Sequence, residues 1–239
     1  MREHIIDPSI TVLMNHINAH PNKMVRALKS FMAQDYENAQ LLILNTHPTP
    51  LEIIGGSRIQ VINYPDIFTR PVEQAAYIIK LVTSDCWTVL DDDDQLDPDH
   101  LSQLVKYWNG CIERTNKPLS VCGMKHIAHY QDKIVPIDFP GWHMTLFQTL
   151  LPKEVDRIYQ LFPFNYYCGE DTWITTNTFW DKRRFNGRGT YHWDRVGDMH
   201  LSSHETGGNK TSRGIYESAM RYWRIKQKSL ATPLKPIQI

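Results

Sequence analysis

No two cysteines in this sequence form a C-x-x-C pair; Cys86, Cys111, Cys122 and Cys168 are widely scattered. That spacing signals neither a zinc site nor a disulfide framework, so the thiols read as free and buried. No apolar run reaches membrane-spanning length, and the N-terminal MREHIIDPSITVLM carries acidic residues and a proline where a secretory leader would be basic and then apolar. A cytoplasmic protein with no membrane span is expected. Internal repeats and low-complexity tracts are missing too, which leaves 239 residues as one compact unit long enough to bury a core.

Net charge is also lacking, with 26 Lys+Arg against 26 Asp+Glu, but the two signs are unevenly placed. Residues 182–239 hold 12 Lys+Arg and 4 Asp+Glu, leaving 14 against 22 in residues 1–181. A basic quarter on an acidic body suits either a phosphate-rich partner or simple attraction between the two regions. Aromatic residues, at 11%, are somewhat plentiful, an excess that needs either a use or a core.

Strand and helix patterns alternate from the start. ITVLMN (10–15) reads as a buried strand and PNKMVRALKSFMAQ (21–34) as a helix, with Pro21 in its first turn and Met24, Leu28, Phe31 and Met32 on one face. QLLILN (40–45) and RIQVIN (58–63) read as strands, 72–84 as a helix and CWTVL (86–90) as a fourth strand. Asp97 and Pro98 open a further helix with an apolar stripe of Leu101, Leu104, Val105 and Trp108. A strand over 119–124 and a hairpin turning at Gln131-Asp132 follow. Next come a loop-rich region over 138–168 with a short helix near 152–161, a helix over 169–180, a glycine-rich loop over 186–214 and a basic C-terminal helix over 216–230. Alternating strands and helices imply an α/β fold with a mostly parallel sheet flanked by crossover helices.

The chemistry concentrates in VLDDDDQLDPDHL (89–101). In an open α/β sheet ligands bind beyond the carboxyl ends of the strands, where these aspartates fall. Four adjacent carboxylates repel one another unless a cation arrives, and hard oxygen ligands select Mg²⁺, Mn²⁺ or Ca²⁺. An EF-hand loop is excluded, since Leu96 stands where its glycine would be and Ser102 where its final glutamate would be. A helix-capping acidic turn suits Asp97 but does not explain four aspartates behind an apolar strand.

Taken in order, these motifs resemble the family 2 glycosyltransferases of GT-A (Rossmann-like) fold. The strings that carry the resemblance are Ser30-Phe-Met-Ala-Gln34-Asp35-Tyr36 at the end of the first helix, Leu90 to Asp94 with Pro98, and Glu170-Asp171. The similarity covers roughly residues 8–105 and, locally, Gly169 to Thr172. It implies a single GT-A domain with a nucleotide-sugar-binding half (8–125), an acceptor-binding half (126–214) and a C-terminal helical extension and tail (215–239).

The resemblance also implies roles. Asp93 would hold a Mn²⁺ or Mg²⁺ ion bridging the two phosphates of a nucleotide-sugar donor, with a UDP-sugar as the leading candidate. Asp91 would lie nearer the ribose and also serve the metal, and His204 on the late HETGGNKTS string would complete the metal shell, with His200 as its rival. Asn15, Asn18, Asn45, Asp92, Lys210 and Arg213 would line the donor; Asp92 and Asp94 either support the site or are solvated. Asp171, with Glu170 beside it, would be the catalytic base that takes the acceptor's proton, which gives an inverting transfer. Trp142, His143 and Trp173 would face the acceptor, since aromatic rings stack on sugars and on bases alike.

Three departures from the family pattern stand out. The second strand ends Asn45-Thr46-His47-Pro48 in place of Asp-Asp-Gly-Ser, residues around Gln74 to Ala76 replace the usual Arg-Asn, and the first loop reads Met14-Asn15-His16-Ile17-Asn18. The acceptor is either a saccharide or a hydroxylated base in DNA, the latter suggested by the basic quarter. A nucleotidyltransferase, or an inactive module that binds nucleotide sugar or nucleic acid, are the alternatives from other classes.

Overall fold

The computed structural model describes residues 7–16, 21–64, 71–92, 94–115, 119–122, 127–130, 133–136, 145–160, 189–192, 199–200 and 236–239. In chain order, β1 (Ile10–His16), α1 (Pro21–Met32), β2 (Ala39–Asn45), β3 (Ile53–Ile54), β4 (Ile59–Asn63), α2 (Pro71–Lys80), β5 (Cys86–Val89), β6 (Asp94–Gln95) and α3 (His100–Thr115) form the first half. After them come β7 (Leu119–Cys122), β8 (Ile127–Tyr130), β9 (Lys133–Pro136), β10 (Thr145–Gln148), α4 (Pro152–Gln160), β11 (Gly189–His192), β12 (Met199–His200) and β13 (Ile237–Gln238).

The main sheet has seven strands in the order β11-β7-β10-β5-β1-β2-β4. β5, β1, β2 and β4 are mutually parallel, β10 runs antiparallel to both β5 and β7, and β11 is parallel to β7. Because helices cover both faces, β1 and β2 are buried along nearly their whole length instead of alternating. One face packs Ile10, Val12, Met14, Leu41 and Ile43 against Met24, Leu28 and Phe31 of α1 and Leu101, Leu104 and Trp108 of α3. The other packs Leu13, Leu42, Leu44, Trp87 and Val89 against Ala75, Ile78 and Ile79 of α2 and Val155 of α4. Trp87 stacks on Phe147 with ring centroids 4.4 Å apart, which seats β10 on β5.

The four strands expected over 10–90 (β1, β2, β4 and β5), helices α1 and α2, the hairpin β8–β9 and the short helix α4 lie where the sequence places them. Helix α3 starts later than expected: His100 N donates to Asp97 O, so Asp97 to Asp99 form a turn and the helix proper begins at His100. Two regions read as loop contain strands. β10 sits in the middle of the sheet although it falls within 138–168, and β11 and β12 fall within 186–214. Four-residue and two-residue strands are too short to show a period, so pairing with neighbours decides them.

The C-terminal residues also pair. β13 lies parallel to β3, with Ile237 N donating to Glu52 O at 2.9 Å and Ile239 N to Ile54 O at 3.0 Å. Gly55 makes this possible: its φ is +92°, and a Cβ there would stand 2.8 Å from Ile239 O. Among the described residues Cys86 is a free thiol, and burial pushes its pKa up, with Asp85 adding to the effect. The expected helices over 169–180 and 216–230 lie outside the described residues.

Candidate active site

Parallel strands deliver their carboxyl ends to one edge of a sheet, and here His16, Asn45 and Asn63 fall in register across β1, β2 and β4. Beside them, Leu90 N donates to Leu13 O at 3.0 Å, so the chain leaves β5 at Asp91 directly alongside the end of β1. The aspartates begin at that edge, in the crevice where open α/β sheets bind ligands.

The turn they form is closed by Asp94 N donating to Asp91 O at 3.1 Å. Asp91 and Asp92 are partly exposed, whereas Asp94 is 2% exposed. Of the two readings for Asp94, solvation is therefore excluded. β6, which starts at Asp94, pairs antiparallel with β12 and sets His200 opposite Asp94. Asp92 reaches back to β1, its Oδ2 lying 3.3 Å from His16 Nδ1.

The Ser-x-x-x-Gln string at the end of α1 has a physical role in this turn. Ser30 Oγ donates to Ala27 O and accepts from Leu96 N at 3.1 Å. Gln34 Nε2 donates to Ser30 O at 3.1 Å and Asp97 O at 2.6 Å, while its Oε1 accepts from Leu101 N at 3.0 Å. One buried amide thus ties the C-terminus of α1 to the exit of the aspartate turn and the N-terminus of α3, whose first amides have no partner within the helix. Tyr36, at the end of the string, donates to Asp7 Oδ1 and to Pro8 O, and burial, reinforced by Asp7, pushes its pKa up, so it stays a hydrogen donor. Arg58 finishes the assembly, donating to the carbonyls of Met32 and Tyr36 at 3.0 Å each beneath the Phe31 ring.

Replacing Gln34 with Leu leaves Leu101 N without its partner in a buried setting, while Asp97 O keeps its bond from His100 N. A loss of about 1–3 kcal/mol is expected from one buried group left unsatisfied, read as a lower urea midpoint at unchanged m. Nucleotide affinity should fall with it, because the turn loses its anchor.

Asn45, expected on the donor side, is fully buried and its amide is engaged locally. Nδ2 donates to Thr49 O at 3.0 Å and Asn63 Oδ1 at 2.8 Å, and Oδ1 accepts from His47 N at 3.2 Å. Asn63 Oδ1 also accepts from Leu51 N at 2.7 Å, so the two asparagines pin the 46–51 loop. A base read by Asn45 would have to release that loop. By contrast, Asn15 Oδ1 and His16 Nε2 are buried and lack a hydrogen-bond partner, as does Nε2 of Gln74 in the opening turn of α2. Gln74 stands in α2, the helix that follows β4 in the chain. The sequence marked it only as a departure; an unmatched buried amide is visible only once the helix is packed.

Asn18, Asp93, Trp142, His143, Glu170, Asp171, Trp173, His204, Lys210 and Arg213 lie outside the described residues. Among the described residues no three His, Cys, Asp or Glu side chains converge on a metal position. The carboxylate oxygens that Asp91 and Asp92 bring to the turn are nevertheless the donor chemistry a hard divalent cation selects.

The family described as glycosyl transferase family 2 matches residues 11–111. No curated protein matches. Among solved structures, S. aureus TarS 1-349 superposes with a TM-score of 0.56 at 13% identity, covering 91% of this chain and 65% of that one. The same protein in complex with UDP-GlcNAc gives 0.52 at 14% identity, covering 91% of this chain and 66% of that one. The mannosyltransferase PcManGT from Pyrobaculum calidifontis, in complex with GDP-Man and Mn²⁺, gives 0.52 at 15% identity, covering 96% and 66%. This chain thus spans about two thirds of the length of these structures, and at such identities the likeness shows the fold.

Proposed function

We propose that this chain, a family 2-like glycosyltransferase with the GT-A fold, moves a sugar from a nucleoside-diphosphate sugar to an acceptor hydroxyl with inversion at the anomeric carbon. The observation that carries the reading is the aspartate turn, which leaves β5 at the carboxyl edge of the parallel sheet and is clamped by Gln34, Ser30 and His16. That TarS binds UDP-GlcNAc and PcManGT binds GDP-Man with Mn²⁺ supports a nucleotide-sugar donor and a divalent metal. UDP is the first candidate nucleotide.

Asp91 and Asp93 would hold Mn²⁺ or Mg²⁺, with His204 or His200 as a further ligand. The metal, when bound, neutralises charge developing on the departing diphosphate. Asn15, Asn18 and Asp92 would line the donor, and Lys210 and Arg213 would face phosphate oxygens. Asp171, next to Glu170, would accept the proton from the acceptor hydroxyl as that oxygen bonds to the anomeric carbon and the bond to the diphosphate breaks on the opposite face. Trp142, His143 and Trp173 would hold the acceptor, a saccharide or a hydroxylated base in DNA. Among the described residues no helix is long and apolar enough to cross a membrane.

Incubation with Mn²⁺ and a panel of UDP-, GDP- and other nucleotide sugars is expected to release free nucleoside diphosphate by slow hydrolysis from one class of donor. Pyrophosphate release instead would identify a nucleotidyltransferase, and binding without release an inactive module. Mass spectrometry of glycan and hydroxymethylated-DNA acceptors after reaction then distinguishes the two acceptors.

A further inference from the structure

His16 is an unusual residue for the place it occupies. It ends β1 and is 1% exposed, and its backbone is fixed from the neighbouring strand because its carbonyl accepts Thr46 N at 3.1 Å. Its ring bridges sideways to the chain beyond β5, Nδ1 lying 3.3 Å from Asp92 Oδ2, and its Nε2 is buried without a hydrogen-bond partner. Two strand ends that share no sequence proximity are thereby joined at the base of the aspartate turn.

We infer that His16 is a positioning residue that grips Asp92 and so sets the turn carrying Asp91 and Asp93 for the metal and diphosphate; this rests on the donor-binding reading above. An ionised carboxylate only accepts hydrogen bonds, so in this grip His16 Nδ1 donates to Asp92 Oδ2. Two consequences follow for the turn. Asp92 is drawn toward β1 and away from competition with its neighbours for a cation. The entrance of the turn is fixed by His16 while Ser30 and Gln34 fix its exit. Fixing ligand orientation from outside the coordination shell is worth 10–100-fold in metal affinity where it has been removed, on the order of what is expected here.

The two side-chain amides separate the roles of the ring nitrogens, since Asn presents its Nδ2 near the position of Nδ1 and Gln presents its Nε2 near that of Nε2. Binding of Mn²⁺ with UDP to the intact chain, measured by calorimetry and Mn²⁺ paramagnetic resonance, is expected to stay within about threefold of wild type in His16→Asn and to weaken about 10–100-fold in His16→Gln. Thermal midpoints of the two variants should match. With Asp92→Asn already in place, His16→Gln should weaken binding by no more than about twofold further, as coupled residues do. Equal affinities for the Asn and Gln variants, or losses that simply multiply in the double variant, overturn the inference. Should His16→Gln fail to fold, long-range ¹⁵N–¹H correlation on the wild-type protein decides: a hydrogen on Nδ1 supports the grip, and one on Nε2 alone refutes it. Wild-type protein that binds no Mn²⁺ and nucleotide would overturn the donor reading and this inference together, whereas wild-type binding with equal variants sinks only His16.

Discussion

Asp93→Ala is expected to abolish Mn²⁺-dependent binding of the nucleoside diphosphate. Losing a partner outside the coordination shell already costs 10–100-fold in metal affinity, so removing a ligand from the shell itself should exceed roughly 100-fold. The chain should remain folded, because the strand before the aspartates is held by its own apolar packing: Trp87 and Val89 are buried in the core, and Leu90 N is anchored on Leu13 O. Isothermal titration of UDP with and without Mn²⁺ checks it. Binding that is unchanged in the variant and still needs Mn²⁺ would remove Asp93 from the metal.

Asp171→Asn should give the opposite pattern. An asparagine keeps the size of the side chain but cannot accept a proton from an attacking hydroxyl, and general-base catalysis contributes about 10²–10⁴-fold. Transfer should fall by that factor while the affinity for donor and Mn²⁺ stays the same. Single-turnover transfer measured beside donor titration separates the two steps. A variant that loses donor binding and retains transfer at saturation would exchange the roles assigned to Asp93 and Asp171.

Legibility in the sequence varied with the length of the pattern. β1, β2 and β4 are runs of five to seven residues, and α1 and α3 repeat their apolar residues at helical spacing over three turns or more, so each announces itself. β10 has four residues and lies between β7 and β5 only because Phe147 can stack on Trp87 and both neighbours run antiparallel to it. β12 has two residues and exists only as a partner for Asp94 and Gln95. Neither has a local signal strong enough to compete with a loop.

The site divides along the same line. That a cluster of carboxylates stands at the carboxyl end of a buried strand follows from the order of residues alone, because strand periodicity and the repulsion of adjacent like charges are local properties. So does the Ser30-to-Tyr36 string as a pattern, though not its purpose. What the side chains of Gln34, Asn45 and His16 do depends on groups 63 or more, 18 and 76 residues away respectively. Hydrogen bonds at such separations are created by the packing of the sheet and its helices. Only the tertiary structure decides that Asn45 holds its own loop, that Gln34 holds the exit of the aspartate turn, and that His16 meets Asp92. The sequence by itself determined where the negative charge is concentrated; the fold decided which side chains brace it, because bracing needs two distant strands to end at the same edge.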